Sequence, residues 1–362
     1  MARCEQKGLG LAKGSRRTSS ADVATAAGVS KTSVSFAFNK PERLKPATAV
    51  RILEIAQSMG YRPHPVARML TQQYTGTLGI LTPQPLPIMF ANPFFAAFNE
   101  GVALAADHAG YGLSFISPRH GSLAAGFGSA MVDGIVAIGM SAHHPEIEEL
   151  SRASLPTVMV DSGTSSEYST VDIDDEDGAR QAAQHAVELG HRRFLVLAIE
   201  PPNVAGGDDP EDERNRRLCG YRTAIEAAGL RLPDSSVLIG PSSVEGGHAA
   251  FQRAWEDGLR PTAVLAMSDA MAIGAIRAIR EQGLDVPKDI SVIGFDDIEL
   301  AGLVEPALTT IHQPVRRKGE VAARLLVAAI EQGDAFKPEQ HVMETRLIVR
   351  ASTGPPRRGR TP

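Results

Sequence analysis

Cysteine is nearly missing from this chain: Cys4 and Cys219 are the only two in 362 residues. They are too few and too far apart for a disulfide framework, and they form no CxxC pair. No apolar run approaches the roughly 20 residues that a membrane helix needs, so no membrane partner is expected. The first 17 residues are basic and Gly-rich but lack the apolar core of a secretory signal. Together these absences point to a cytoplasmic protein. Catalytic signatures are missing as well: there is no Walker motif, no GxGxxG after a strand, no GxSxG and no HExxH. No catalytic residue, cofactor or metal is therefore expected. The run Asp172–Gly178 starts like a calcium loop, but Ala183 stands where the closing bidentate Glu belongs, and the run reads as an acidic helix start.

What is present is an ordinary globular balance, 43% hydrophobic and 22% charged, over a length that suits two or three domains. The net charge of -5 hides an asymmetry. Residues 1–73 carry 12 Lys and Arg against 4 Asp and Glu, a net of +8, so the remainder carries -13. A basic head on an acidic body suggests that only the head meets a polyanion.

The head has local signals for short helices. Ser19 and Asp22 have capping-box spacing, Val23, Ala26 and Ala27 form an apolar face, and Gly28 supplies a stop. After the turn Gly28-Val29-Ser30, a second helix is predicted over Lys31 to Asn39. Two short helices around a Gly-containing turn are a helix-turn-helix signature. Val34, Ala37 and Phe38 share the inward face, leaving Thr32, Ser35, Phe36 and Asn39 opposite, with Lys31 at the leading end. Such a face suits a major-groove reader, or a solvated surface with one stray aromatic. Pro46 opens a third helix that Gly60 closes. The Pro-headed stretch that follows, within 63–75, is too short to be helical alone and suits a hinge that orders on DNA.

From residue 76 onward, strand-like runs alternate with helical ones. Strands are expected at Leu78–Leu81, Leu113–Ile116, Gly134–Ile138 and Thr157–Val160, then at Phe194–Ile199, Val237–Ile239, Ala263–Ala266 and Ser291–Phe295. Helices are expected at Pro93–His108, Pro145–Arg152, Asp177–Leu189, Arg217–Ala228, Glu245–Asp257, Asp269–Gln282 and Val315–Gln332. Two such series imply two parallel-sheet α/β lobes flanked by helices, with ligand at the carboxyl ends of the strands. Asp161 and Asp296 end strands, Ser268 follows one, and Arg217 starts a helix. Carboxylates with a forked guanidinium suit sugar hydroxyls. Capping is the competing role, for Asp269 and Asp297 as well as Ser268. Phe95, with Phe94, is expected either as an apolar wall or as core.

Asp22-Val23-Ala24, Ala27-Gly28-Val29-Ser30, Val34-Ser35, Asn39, Gly60-Tyr61-Arg62-Pro63 and Val66-Ala67-Arg68-Met69-Leu70, in this order and spacing, resemble the head of the LacI/GalR family of regulators. With the motifs of the body, the resemblance covers roughly residues 18–353. It implies an α-helical DNA-binding domain over 18–62, a hinge helix and linker over 63–75, and a two-lobed periplasmic-binding-protein-like effector and dimerisation domain over 76–353. It also implies three chain crossings, near 174, 311 and 335, with the chain then returning to the C-terminal lobe through Thr345–Val349. Residues 1–17 and 354–362 are expected to be disordered tails. The resemblance implies base contacts from Lys31, Thr32 and Phe36, phosphate contacts from Ser35 and Asn39, and Leu70 as the minor-groove wedge. Where many members have Arg, Phe36 departs, and it can press on a thymine methyl but cannot grip guanine. Asp161, Arg217, Ser268 and Asp296 match family effector positions. The expected function is a regulator, most simply a repressor, that binds a pseudo-palindromic double-stranded operator as a homodimer under the control of a sugar. A nucleobase or nucleoside effector, and more remotely a solute-binding protein, stay open.

Overall fold

The computed structural model describes residues 18–61, 74–119, 122–142, 144, 146–152, 155–201 and 212–357. The chain separates into two compact units, 1–74 and 75–362.

The head is built from α1 (Ser20–Ala27), α2 (Lys31–Asn39) and α3 (Pro46–Ser58). Local chemistry fixes each boundary. Ser19 and Asp22 close a reciprocal capping box, with Ser19 N donating to the Asp22 carboxylate at 2.8 Å and Asp22 N to the Ser19 hydroxyl at 3.3 Å. Gly28 ends α1 at φ 62°, a left-handed conformation without penalty for glycine. Ser30 caps α2 by accepting from Ser33 N at 3.1 Å. Val23, Ala27, Val34, Ala37, Ile52 and Ala56 form the head's core, with Phe38 and Tyr61 packed against it.

The body's strands are β1 (Thr77–Leu81), β2 (Gly112–Ile116), β3 (Gly134–Ile138), β4 (Thr157–Val160), β5 (Ser169–Ile173), β6 (Phe194–Ile199), β7 (Val237–Gly240), β8 (Ala263–Ala266), β9 (Ser291–Asp296), β10 (Thr309–His312), β11 (Gln340–Met343) and β12 (Arg346–Ile348). Its helices are α4 (Leu86–Ala91), α5 (Pro93–His108), α6 (Leu123–Phe127), α7 (Ile147–Arg152), α8 (Asp175–Glu188), α9 (Glu213–Ala227), α10 (Val244–Glu256), α11 (Asp269–Glu281), α12 (Glu299–Leu303) and α13 (Val315–Gln332). Two six-stranded sheets result, ordered β11-β5-β4-β3-β1-β2 and β12-β10-β9-β8-β6-β7. Every pairing is parallel except that of β12 with β10. Both sheets therefore repeat one doubly wound order, with a switch point between β1 and β3 and again between β6 and β8. Ligands bind at such switch points, beyond the strands' carboxyl ends.

The chain crosses between lobes three times. After β5 in the first sheet, α8 packs on α9 in the second lobe; after β10 in the second sheet, α13 packs on α5 in the first. The third crossing is not near 335. There α13 has already ended, and β11 adds to β5 of the first sheet before β12 joins β10 of the second, so the chain crosses at Glu344-Thr345. The mixed polar character of β11 hid it, whereas β12 falls within the expected return through Thr345–Val349; each obtains its hydrogen bonds from the edge it completes. α5 and α13 meet backbone to backbone. A Cβ on Gly319 would lie 2.1 Å from the Phe98 carbonyl oxygen, so only glycine permits this approach.

Residues 354–357 are ordered, contrary to a tail starting at 354. Gly354 N donates to the Ser291 hydroxyl at 3.1 Å, and buried His191 Nε2 lies 2.9 Å from the Gly354 carbonyl. Arg357 pairs with Asp289 at 2.6 Å. Proline and arginine composition suggested disorder, but these long-range partners override it.

Candidate nucleic-acid interface and effector cleft

α2 carries the candidate DNA face. Lys31 and Thr32 are exposed at its N-terminus, while Ser35, Phe36 and Asn39 are half-buried along one side. Asn39 Nδ2 lies 3.4 Å from the Ser35 hydroxyl. Phe36 is outside the head's apolar core, and the Arg43 guanidinium sits 5.6 Å from its ring centroid. Arg43 was missed by sequence reasoning, because it lies in a 3-10 turn (Pro41–Arg43) beyond the helix-turn-helix pattern. Leu70 and the hinge residues through 73 lie outside the described residues.

Between the carboxyl ends of the two sheets lies a cleft of about 1170 Å³, including its open mouth. Asp161, Arg217, Ser268, Asp296 and Phe95 all line it. They come from the turn after β4, α9, the turn after β8, β9 and α5, so five separate segments converge. Among the described residues, the non-glycine positions with positive φ are Asp161 (56°), Asp296 (123°) and Asp297 (60°). Left-handed backbone at strand-end carboxylates is strain held by surrounding structure, a feature that clusters at ligand sites.

Each of these groups already has partners within the protein. Arg217 lies in the second turn of α9, not at a helix start, because α9 begins at Glu213 under the Asp212 cap. Its Nε donates to buried Asp175 at 2.8 Å and its Cζ stands 3.9 Å from the Phe295 centroid. Burial alone would push the Asp175 carboxyl up, but Arg217 and Arg216 hold it below its ordinary value. Asp296 accepts from Gln313 Nε2 at 2.6 Å. Burial raises Asp296 well above the usual carboxylate range, with Arg217 opposing and Asp269 adding to the rise. Ser268 caps α11 through Met271 N at 3.3 Å and also lines the cleft, where it accepts from Ser242 at 3.0 Å. Asp269 is not a cap. It is fully buried and binds Thr310 and Ile298 N, tying β10 to the turn after β9. Asp297 likewise pairs with Arg350 and His312.

Two further features were missed. Asn92 Nδ2, at the start of α5, donates to the Ser242 carbonyl at 3.2 Å and so reaches from the first lobe to the second. Lys318 of α13 has no exposed side-chain surface. It pairs with Asp161, donates to Gln313 Oε1 at 2.7 Å and lies 5.5 Å from the Phe94 centroid. The signal for Lys318 was legible as a charge inside the apolar stripe Val315, Ala322, Leu325, Leu326 and Ala329. Residues 202–211 lie outside the described residues; Asp212 and Glu213, which follow them, line the cleft. Asp174 caps α8 by accepting from Asp177 N at 2.9 Å.

Residues 21–64 match the model of bacterial regulatory proteins of the lacI family, and residues 183–353 match a periplasmic binding protein-like domain. The HTH-type transcriptional regulator CelR of Thermobifida fusca is 33% identical over 93% of this chain and 98% of its own length. This chain belongs to the LacI family. It is a DNA-binding transcriptional regulator. The ribose operon repressor of Escherichia coli K12 is 33% identical, over 86% of this chain and 92% of its own. Among solved structures, the CelR–cellobiose complex is 32% identical over 93% of this chain and all of its own, with a TM-score of 0.67. The lac repressor dimer bound to operator and the anti-inducer ONPF is 26% identical over 94% of this chain and all of its own, with a TM-score of 0.72. Relatives that span nearly the whole chain are thus regulators and not enzymes. Among the described residues no helix is long and apolar enough to cross a membrane.

Proposed function

We propose that this LacI-family regulator is a homodimeric repressor whose operator affinity is set by a sugar held in the interlobe cleft. The observation that carries the reading is the convergence of Asp161 from the first lobe with Arg217, Ser268 and Asp296 from the second on one cavity. A polyol bridging them would bind one interlobe angle better than another, and a ligand shifts an equilibrium only through such a difference. Phe95, in edge-to-face contact with Phe94 at 5.4 Å between centroids, supplies an apolar wall for a sugar ring face. A relative solved in complex with cellobiose and a relative named as the ribose operon repressor support a sugar over other ligands.

At the operator, Lys31, Thr32 and Phe36 would meet base edges, with Ser35 and Asn39 on phosphates. One such head contacts few bases, so two heads on a pseudo-palindrome are required for specificity. The cytoplasm, where operators lie, is the compartment this function assigns.

A thermal-shift screen of neutral sugars, nucleobases and nucleosides on the full chain tests the effector. A sugar at 100 times its Kd should add roughly 2.7 kcal/mol of stability. A shift by a nucleobase and by no sugar would sink the sugar assignment. Sedimentation of a monomer at micromolar concentration, with footprinting of a single half-site, would sink the dimer.

A further inference from the structure

We propose that Lys318, which nothing above places in contact with the effector, is the residue that makes the cleft select an uncharged sugar over charged derivatives. The inference rests on the sugar reading and adds to it a class of sugar and a residue that sets the class.

The electrostatics of the cleft carry the argument. The carboxylates of Asp161, Asp212, Glu213 and Asp296 line it with the guanidiniums of Arg214 and Arg217. Each positive charge is already committed. Arg217 is held by Asp175 at 2.8 Å, which it shares with Arg216, and by Glu213 at 4.0 Å, and Arg214 lies 3.3 Å from Asp212. An incoming phosphate would find these cations engaged, and half-exposed Glu200 adds a repelling carboxylate. Asp161 is the lobe-one carboxylate best placed to attract a cation, yet its charge is cancelled from behind by Lys318. The ammonium has no route to solvent, and its second contact, Gln313 Oε1, orients that amide so that its Nε2 meets Asp296 at 2.6 Å. One buried cation thus balances Asp161 and, through Gln313, fixes the lobe-two carboxylate. Burial also favours the neutral form of Asp296. At Asp161 and Asp296, what faces the ligand is lone pairs and N–H dipoles, the complement of hydroxyl groups. A buried cation–carboxylate pair is costly to form and gains little stability over apolar packing. Its presence beside the cleft, in an otherwise apolar helix face, fits a role in recognition. Lys318 is a positioning residue: it acts through Asp161 and Gln313.

The test uses the full chain and calorimetry with ribose, glucose and cellobiose, set against ribose 5-phosphate, glucose 6-phosphate and glucosamine. The wild-type protein should bind at least one neutral sugar and prefer it tenfold or more over its charged derivative. Lys318→Met bares the Asp161 charge and should shift preference toward glucosamine by tenfold or more. Asp161→Asn bares the Lys318 charge and should shift preference toward the sugar phosphates. The double variant Lys318→Met with Asp161→Asn has neither charge and should return to a preference for neutral sugars. It also carries the test if the single variants fail to fold, since a folded double variant that prefers a charged derivative overturns the proposal. Folded single variants with unchanged selectivity overturn it too, as does a wild-type protein that prefers a phosphate or amine. Wild-type protein that binds no sugar of either kind removes the underlying sugar reading instead.

Discussion

Arg217 lies face-on over Phe295, with the guanidinium carbon 3.9 Å from the ring centroid, while its Nε–H is committed to Asp175. The ring, the carboxylate and the Met267 carbonyl, which accepts from Nη1 at 2.5 Å, together fix the guanidinium where Arg217 lines the cleft. Arg217→Ala should lower effector affinity ten- to a hundredfold, corresponding to about 1.5–3 kcal/mol for a charge-assisted hydrogen bond. It should also destabilise the body, but by less than the about 3–5 kcal/mol of a stranded buried charge, because Asp175 keeps Arg216 at 2.8 Å. Urea unfolding beside calorimetry separates the two effects.

Asn92 offers a way to change the lobes' equilibrium without touching the carboxylates. Asn92→Asp keeps the acceptor that caps α5 through Phe94 N, but removes the amide donor to Ser242. A net hydrogen bond of about 0.5–1.5 kcal/mol should then be missing from the closed arrangement. Effector affinity should fall roughly two- to tenfold, in proportion to the closed fraction. An unchanged Kd in the folded variant would show that Asn92 has no part in closure.

Asp172 gives a pH signature. Its carboxyl is pushed up to about 6 by burial and by the charge of Asp161, although Ser162 N and Gly163 N donate to it at 2.8 and 3.1 Å. With a folded value above the unfolded one of about 3.9, the folded chain binds more protons between pH 4 and 6. Stability therefore falls as pH rises through that window, by up to about 3 kcal/mol above pH 6. Asp172→Asn keeps an acceptor for both amides and never ionises. It should melt higher than the wild-type protein at pH 7.5, and its advantage should shrink toward pH 4.5. A difference in melting temperature that does not vary with pH would contradict this.

Phe36 tests the DNA face. It lies outside the head's core, so Phe36→Ala should leave the helical circular dichroism of the chain intact. Specific operator affinity should drop by about 1–3 kcal/mol while the salt dependence stays constant, since no positive charge is removed. Phe36→Arg should move the preferred base at that position toward guanine in a randomised-operator selection. Loss of the head's fold in Phe36→Ala would assign the ring to the core instead.

The sequence by itself determined whatever depends on neighbours within a few residues. Ser19 with Asp22, Gly28, Ser30 and Pro46 bound the head's helices through backbone groups one turn away. Apolar runs such as Gly134–Ile138 and Ala263–Ala266 announced buried parallel strands, and carboxylates at strand ends marked the cleft. Tertiary structure alone decided the sheet each edge strand joins, because β11 and β12 are short and half-exposed, and obtain their hydrogen bonds from β5 and β10. It also decided which charges are free. Lys318 is marked locally only as a charge in the apolar stripe of α13; what allows it to be buried is Asp161, 157 residues earlier, which neutralises it. Arg217 looks like an open donor until Asp175, 42 residues before it, is found at its Nε. A buried charge is tolerable only beside its counter-charge, and the fold, not the local sequence, brings the two together.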